Sequence, residues 1–118
     1  MTSRAPGLKP LTPVDLHILL ALARSPLHGY GIKLDISERT RGEVSLGSGT
    51  LYEAIQRLEE RNLIAPTAPP QGEETDPRRR YYRLRAAGER ALREALGRME
   101  TVVRFGRSLD LLPEGREV

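Results

Sequence analysis

The spacing of apolar residues predicts four helices and a two-stranded hairpin along the 118 residues of the chain. The clearest helix lies within residues 48–64. Its apolar positions recur at spacings of four and three: Leu51, Ile55 and Leu58. Ser48 is the predicted N-cap, because a serine hydroxyl can accept hydrogen bonds from backbone N–H groups of the first turn. Asn62 is the predicted end of the helix, because asparagine tolerates the left-handed conformation found there. Two apolar residues then begin a predicted strand, Leu63 and Ile64.

The first helix of the chain is predicted to begin at Thr12 and to lie at the centre of the core. Thr12 can act as its N-cap, and Asp15, three residues later, can complete a capping box. Pro13 follows the cap, where its missing N–H costs no intrahelical hydrogen bond. The rest of the segment is apolar on nearly every side, which is typical of a helix surrounded by core. Ser25 and Pro26 are expected to break the helix.

An aromatic residue between two glycines, at residues 29–31, predicts a tight turn into a second helix over about residues 29–40. Its predicted core-facing residues are Ile32 and Ile36. Two roles are possible for Tyr30: it fills the core, which we favour, or it offers its hydroxyl to a phosphate. After the helix, residues 43–46 alternate between polar and apolar and predict a short strand.

Two strands joined by a loop are predicted after the third helix, and together they would form a wing. The first strand, residues 63–67, contains Pro66, which restricts it to the edge of a sheet. The loop, residues 68–77, is rich in proline and acidic residues. The second strand is predicted over residues 78–84. Its side chains would alternate, with Tyr82 and Leu84 on one side and Arg79, Tyr81 and Arg83 on the other.

The last helix is predicted over residues 86–109 and carries an apolar stripe that the rest of a small chain cannot cover. At ~1.5 Å per residue this helix is roughly 35 Å long. A second copy of the chain is the simplest partner for the stripe. The residues predicted to meet that partner are Leu92, Leu96, Met99, Val103 and Gly106.

Basic residues slightly outnumber acidic ones, and their position matters more than their total. The chain has 19 Lys and Arg against 16 Asp and Glu. Arg78, Arg79 and Arg80 are consecutive, and this run is either a solvated surface segment or a phosphate-contacting patch. Cysteine is absent, which excludes disulfides and thiolate chemistry and suits a reducing cytosol. No apolar run approaches the ~18 residues of a membrane span, and the N-terminus lacks the apolar core of a signal peptide.

Several short motifs follow one another along the chain: HGYGI at residues 28–32, GTLY at 49–52, LEE at 58–60, LI at 63–64, YRL at 82–84 and Gly88. Their order resembles that of the PadR family of bacterial winged-helix transcription regulators. The resemblance covers residues 12 to about 110. It implies a mainly α fold of the α+β kind, a winged helix-turn-helix with a two-stranded wing and a long C-terminal dimerisation helix. It also implies a cytoplasmic homodimer that binds a palindromic operator and usually represses, and that in many members releases DNA on binding a small molecule.

The order of the predicted elements divides the chain into four expected parts. Residues 1–11 would be a flexible arm, residues 12–85 the DNA-binding domain, residues 86–110 the dimerisation helix and residues 111–118 a flexible tail. The sequence departs from the family pattern at Arg85, where a threonine often caps the last helix. It also places acids in the wing loop: Glu73, Glu74 and Asp76. These acids would repel phosphates, so the wing is expected to contact DNA through the basic residues at its root, Arg79 and Arg80.

The expected DNA-contacting surface combines the starts of the second and third helices with the root of the wing. Thr50, Glu53 and Arg57, on the polar face of the third helix, would read base edges in the major groove. The resemblance implies further contacts from both helix starts. The full expected set is Ser48, Gly49, Thr50, Tyr52, Glu53, Arg57, His28, Gly29, Tyr30, Lys33, Arg78, Arg79 and Arg80.

Two other function classes can be compared with DNA binding. A winged helix used only for protein–protein interaction fits the modest net charge and the acidic wing loop. An enzyme is disfavoured, because the sequence has no Cys, two scattered His, no Gly-rich phosphate loop and no paired carboxylates facing a plausible cleft. No cofactor or metal site is expected. An effector pocket could lie between the last helix and the core, lined by Leu and Val side chains with Met99 and Phe105.

Overall fold

Four helices and three short strands make up the described residues, 9–72 and 76–113, of this computed structural model. In chain order they are α1 (Pro13–Leu22), β1 (Leu27–His28), α2 (Gly29–Arg39), α3 (Ser48–Glu60), β2 (Ile64–Thr67), β3 (Tyr81–Leu84) and α4 (Ala86–Ser108). α1 lies at the centre, where it contacts the other three helices and β3. The predicted winged-helix fold is confirmed, and β1 adds a strand that the sequence did not predict.

The start of α1 carries the capping box that the sequence predicted. The Asp15 N–H donates to the Thr12 hydroxyl at 3.0 Å, and the Thr12 N–H donates to the Asp15 carboxylate at 3.1 Å. Asp15 is 1% exposed, so this carboxylate belongs to the core rather than to the surface. Ile18 and Leu19, one turn further on, have no exposed surface. α1 is therefore the central helix of the core, as its uniformly apolar sequence indicated.

α3 begins with a different cap from the predicted one. Gly47 is the N-cap and Ser48 is the first helical residue, with no side-chain hydrogen bond at the cap, so the predicted capping role of Ser48 is wrong. Glycine also serves at this position, because its backbone reaches the required extended conformation. Asn62 ends the helix in the left-handed conformation, with φ of 62°. The Leu63 N–H then donates to the Leu58 carbonyl at 3.0 Å, a hydrogen bond typical of a Schellman helix end.

The sheet has the order β1-β3-β2 with antiparallel pairs, so β3 is its central strand. Pro66 lies in the edge strand β2 opposite Tyr82, as its missing N–H requires. β3 begins at Tyr81, so the three arginines predicted to start this strand precede it instead. Tyr81 and Tyr82 are both buried, which corrects the predicted alternation. Tyr81 packs edge-on against the His28 ring, while Tyr82 joins the main core cluster.

Residues 43–46 do not form the strand that their alternation predicted. The Val44 N–H donates to the Thr40 hydroxyl at 3.0 Å, which holds the chain in a turn after α2. Arg41 and Gly42 have φ of 54° and 81°, so the backbone reverses there instead of extending. Leu46 is buried nonetheless. The apolar positions of this segment therefore face the core from a turn rather than from a strand.

The first half of α4 packs on the core, and the second half extends beyond it. Gly88 lies against the backbone of Leu63, where a Cβ would collide with the carbonyl oxygen. Arg85 precedes the helix without a side-chain cap, as expected. Leu92 is 5% exposed and packs in the core of its own subunit, which corrects its assignment to the dimer-facing stripe. Gly106 is half-buried. The exposed apolar residues beyond the core are Leu96, Met99, Val102, Val103, Phe105 and Leu109.

Part of the predicted flexible arm is fixed against the domain. Nη2 of Arg61 donates to the Lys9 carbonyl at 2.6 Å, and Leu11 packs against the core cluster. Arg61 follows directly after α3, so the end of this helix holds the chain just before α1. Residues 9–11 are therefore an ordered part of the domain.

Three stretches with sequence-based expectations lie outside the described residues. They are residues 1–8 of the arm, residues 114–118 of the tail and positions 73–75 of the wing loop, which include Glu73 and Glu74. Within the described ranges, every helix is too short or too polar to span a lipid bilayer.

Candidate nucleic-acid interface

The start of α3 is open to solvent. Residues 47–50 are all exposed, and a Cβ added at Gly47 or Gly49 would meet nothing within 4 Å. No side chain caps this end of the helix. Its first N–H groups can therefore bond to an approaching ligand, and the helix dipole favours an anion such as a phosphate. Ser48 and Thr50, whose side chains carry hydroxyl groups, both lie in this exposed first turn.

A pocket of about 290 Å³ lies between the start of α2, the middle of α3 and the segment before β3. We call it the wing-root pocket. It is lined by His28, Gly29, Tyr30, Tyr52, Arg78, Arg79, Arg80 and Tyr82. All of these residues except Tyr82 belong to the DNA-contacting set expected from the sequence. The fold thus brings together candidate residues from three separate parts of the chain.

Tyr52 and Gly29 fit against each other at the floor of the wing-root pocket. A Cβ at Gly29 would collide with the Tyr52 hydroxyl and would lie 2.7 Å from its ring carbon Cζ, so a larger residue here would displace the Tyr52 ring. Tyr52 is still 50% exposed, so packing against α2 and contact with a ligand are compatible. Tyr30 is 54% exposed, and its favoured assignment to the core is wrong. Both tyrosine hydroxyls are therefore accessible from the same side of the molecule.

His28 links the start of α2 to the root of the wing. Its Nδ1 accepts the Gly31 N–H at 3.0 Å and so caps α2. Its Nε2 lies 3.0 Å from Nη1 of Arg79. The ring also meets Tyr81 edge-on, with ring centroids 5.0 Å apart. His28 is thus a structural cap on one side and a wall of the wing-root pocket on the other.

The arginines on either side of Arg79 lie beside acidic groups. Arg78 contacts Asp76, with its Nε at 3.3 Å from the carboxylate, and Arg80 lies 4.0 Å from the Glu59 carboxylate. Hydrogen bonds from the side chain and backbone of Arg78, helped by the charge of Arg79, hold the pKa of the Asp76 carboxyl below its ordinary value of 3.8. The arginine side chains are 89% and 65% exposed in these pairs. Such exposed pairs contribute little stability, so the guanidinium groups can exchange carboxylates for phosphates at low cost.

Tyr82 is the lining residue that the sequence did not identify as part of the site. Burial raises the pKa of its hydroxyl above the ordinary value of 10.0, although the charge of Arg80 opposes this shift. The only available signal was the pair of adjacent tyrosines in β3, because neighbouring strand residues point to opposite faces of a sheet. Tyr82 is 6% exposed and belongs to the core cluster, so it joins the wing-root pocket to the core.

Three other expected contact residues lie outside the wing-root pocket. Arg57 donates through Nη2 to the buried Asp15 carboxylate at 2.8 Å, while its side chain remains 49% exposed. Base reading by Arg57 stays a prediction, and it would require this ion pair with Asp15 to break. Glu53 is exposed on α3, and Lys33 is half-buried on α2. Neither lines the pocket.

Comparison with known proteins agrees with this geometry. Residues 18–94 match the transcriptional regulator PadR-like family. The chain belongs to this family. A relative from Lysinibacillus sphaericus, named uncharacterized protein X, is 31% identical over 105 residues that cover 88% of this chain and 91% of the relative.

Solved structures of PadR-family proteins share the fold. A PadR family transcription regulator from Clostridium difficile is 26% identical, with a TM-score of 0.68, and the match covers 83% of this chain and 98% of that one. Bacillus subtilis PadR, solved in complex with operator DNA, is 22% identical, with a TM-score of 0.60. That match covers 72% of this chain and 47% of the Bacillus subtilis protein, so this PadR-family chain spans about half of its length.

Proposed function

We propose that this PadR-family protein is a homodimeric DNA-binding repressor that acts in the cytoplasm on a palindromic operator. The observation that carries the proposal is the wing-root pocket beside the open start of α3. Three consecutive arginines, two exposed tyrosines and a histidine converge there from separate elements. Basic and hydroxyl groups in this arrangement suit the phosphates of a duplex.

The phosphate contacts would fix how the protein sits on the duplex. Arg79 and Arg80 lie at the root of the wing, and Ser48 and Thr50 lie at the start of α3. The two sets can therefore contact the phosphates that border one groove of the duplex. Bacillus subtilis PadR, which shares the fold, carries operator DNA. We transfer that partner to this chain because the residues lining the pocket have the chemistry that a phosphate backbone requires.

Base reading would come from the exposed first turns of α3. Thr50 and Glu53 are exposed there, and neither packs in the core. Threonine can bond to several base edges, and glutamate accepts from the amino group of cytosine. Arg57 leaves this set because it pairs with Asp15. The proposed sequence-reading surface is therefore small and centred on the beginning of the helix.

The second half of α4 would join the two subunits. Its exposed apolar side chains include Met99, which is 48% exposed, and Val102, which is 71% exposed. A contiguous apolar face on a helix that projects beyond the core marks an interaction surface. A second copy covers it symmetrically. The two recognition helices would then contact half-sites ~34 Å apart, one turn of the duplex.

A small-molecule effector would act through the cavity between α1 and α4. This cavity has a volume of about 360 Å³ and is lined by Pro10, Leu11, Thr12, Pro13, Leu16, His17, Ala95, Arg98, Met99 and Val102. Its size and mainly apolar wall suit a small ligand. Met99 lines it as expected, but Phe105 does not and is 66% exposed. We propose that filling this cavity releases the operator.

The test is binding of the purified protein to a fluorescent duplex from the promoter region of its own gene, measured across a salt series. Arg80→Ala should weaken binding to every duplex and reduce the slope of log K against log salt by about one, because one phosphate contact is lost. Arg104→Ala is the matched control, since Arg104 is exposed on α4 far along the chain from the pocket. It should leave the slope unchanged. An equal effect of both variants would contradict the assignment of the pocket.

The competing function, a winged helix used only for protein–protein interaction, predicts a different result. Such a protein would ignore duplexes of every sequence even at low salt. Sedimentation of the same sample measures its oligomeric state, and a lone subunit would contradict the proposed dimer. Release of a bound duplex by a small molecule tests the effector separately, because it requires both a bound duplex and a filled cavity.

A further inference from the structure

The carboxylate of Asp15 joins the beginning of α1 to α3. One of its oxygens, Oδ2, accepts the Thr12 N–H at 3.1 Å and completes the capping box of α1. The other oxygen, Oδ1, accepts from Nη2 of Arg57 on α3 at 2.8 Å. The Asp15 side chain is 2% exposed, so this doubly bonded carboxylate lies within the core. A single buried group therefore holds both elements.

The ion pair between Asp15 and Arg57 is costly to open. If Arg57 turned away towards a duplex, the Asp15 charge would stay buried without a cation, which is strongly unfavourable. Among the residues that the structure describes, Arg57 is the only cation within 4.0 Å of this carboxylate. The Arg93–Glu89 pair on α4 is different, because its side chains are 76% and 53% exposed and water can solvate either partner. Base reading by Arg57 would have to compensate for the buried charge.

The same ion pair constrains the rotation of α3 about its own axis. The core-facing side of α3 consists of aliphatic side chains such as Leu58, whose contacts are non-directional. Arg57 lies at the edge of this side, and its hydrogen bond to Asp15 requires a particular distance and angle. Thr50, Glu53 and Arg57 recur at spacings of three and four, so they share one face of the helix. Any rotation that moves Arg57 therefore also moves both proposed base-reading residues.

We propose that Asp15 and Arg57 are positioning residues, which fix the rotation of α3 and so align its exposed face with the bases of an operator. Arg57 stays bound to Asp15 in the complex and does not contact the duplex. This inference rests on the proposed DNA-binding function and names how its base-reading surface is held. Loss of the pair misaligns Thr50 and Glu53 without removing any phosphate contact.

The experiment compares Arg57→Met, Asp15→Asn and the variant that carries both substitutions. Methionine keeps an unbranched side chain without the charge. Asparagine has one acceptor oxygen, so it cannot replace the carboxylate at both Thr12 and Arg57. Arg93→Met is the matched control, because it breaks an ion pair of similar length, 2.7 Å, on the exposed surface of α4. Binding is measured across a salt series to the best-binding promoter duplex and to a scrambled duplex of equal length and composition.

The specificity ratio is the affinity for the promoter duplex divided by the affinity for the scrambled duplex. It should fall about tenfold in all three test variants, which is the loss expected for one misaligned base contact. Affinity for the scrambled duplex and the salt slope should stay at the wild-type values, because every phosphate contact remains. Partial unfolding alone would weaken binding to both duplexes equally and leave the ratio unchanged. Arg93→Met should also leave it unchanged.

Urea unfolding at a fixed subunit concentration gives a second readout that needs no DNA. Arg57→Met leaves the buried charge without its cation and should raise the equilibrium constant for unfolding at least about tenfold. Adding Asp15→Asn removes that charge, so the double variant should be more stable than Arg57→Met alone. Arg93→Met should change the constant by less than about fivefold, as is usual for an exposed pair.

A base contact from Arg57 predicts a different pattern. Asp15→Asn would then release the guanidinium and keep or raise the specificity ratio, whereas Arg57→Met would lower it. That pattern would overturn the positioning role, and so would an unchanged ratio or a reduced salt slope in Arg57→Met. A double variant no more stable than Arg57→Met would contradict the uncompensated buried charge. A wild-type protein that binds no duplex would instead refute the proposed function, and the positioning role with it.

Discussion

Gly88 is the position where the structure makes its sharpest prediction about stability. It lies in the first turn of α4, against the start of β2, and a Cβ there would collide with the Leu63 carbonyl oxygen. The same Cβ would lie 2.8 Å from Cδ1 of Leu84. Ordinary carbon contacts lie near 3.5–4.0 Å, so α4 would have to retreat by roughly 1 Å. Gly88→Ala therefore tests how closely the last helix approaches the wing.

Three contributions determine the expected change in the free energy of unfolding, one stabilising and two destabilising. Alanine gains ~1 kcal/mol over glycine in a helix interior. Overpacking against rigid backbone costs about 3 kcal/mol, the upper end of the usual range. The Leu63 carbonyl also accepts the Arg85 N–H at 3.0 Å, and stretching this bond loses ~1 kcal/mol more. The free energy of unfolding should thus fall by about 3 kcal/mol in Gly88→Ala.

Gly97→Ala in the same helix is the matched control. A Cβ at Gly97 meets nothing within 4 Å, so only the helix propensity changes and stability should rise by ~1 kcal/mol. Urea unfolding followed by circular dichroism measures both variants. The subunit concentration must be the same in every sample, because dimer stability depends on it. If the two alanine variants were equally stable, or if Gly88→Ala were more stable than the parent, the close approach of α4 to Leu63 would be refuted.

The remaining predictions concern the core, the cap and the alkaline limit of stability. Leu92→Ala should lower the free energy of unfolding by about 2–5 kcal/mol, because this side chain is 5% exposed. Leu96→Lys should instead dissociate the proposed dimer in sedimentation while the subunit stays folded, and the reverse pattern would contradict this division of α4. Asp15→Ala should cost about 1–3 kcal/mol in urea unfolding through the lost cap and ion pair, and a loss below ~0.5 kcal/mol would contradict its role. Because burial raises the pKa of Tyr82 above 10.0, the unfolded chain ionises first. Stability should therefore fall as pH rises above 10.0, and Tyr82→Phe should flatten that part of the stability–pH curve.

Several features that depend on neighbours in sequence were predictable, although the N-cap of α3 and the turn at residues 43–46 were not. The capping box of Thr12 and Asp15 and the helix end at Asn62 are built within a few residues, and both formed as expected. Pro66 marked the edge strand because the missing N–H has the same consequence in any sheet. Local chemistry therefore specified most of the elements.

Features that depend on distant partners were not predictable. Arg57 lies on the polar face of α3, and nothing in its neighbourhood shows that its partner is Asp15, 42 residues away. Leu92 repeats with the apolar stripe of α4, but only the packed core shows which end of that stripe is already covered. The exposure of Tyr30 follows in the same way from the position of α2. Periodicity identifies an apolar face without identifying what covers it.

Two arginines hold α3 against residues 9–15, at and before the start of α1. Arg57 binds Asp15, and Arg61, directly after the helix, binds the carbonyl of Lys9. Residues 10–13, which lie between these two anchors, form one wall of the cavity between α1 and α4 together with Leu16 and His17. Under the proposed function, a molecule in this cavity would press on the same short segment that holds α3 in place. It would change the orientation of α3 on DNA by moving the chain in front of α1, with no bend in α3 itself.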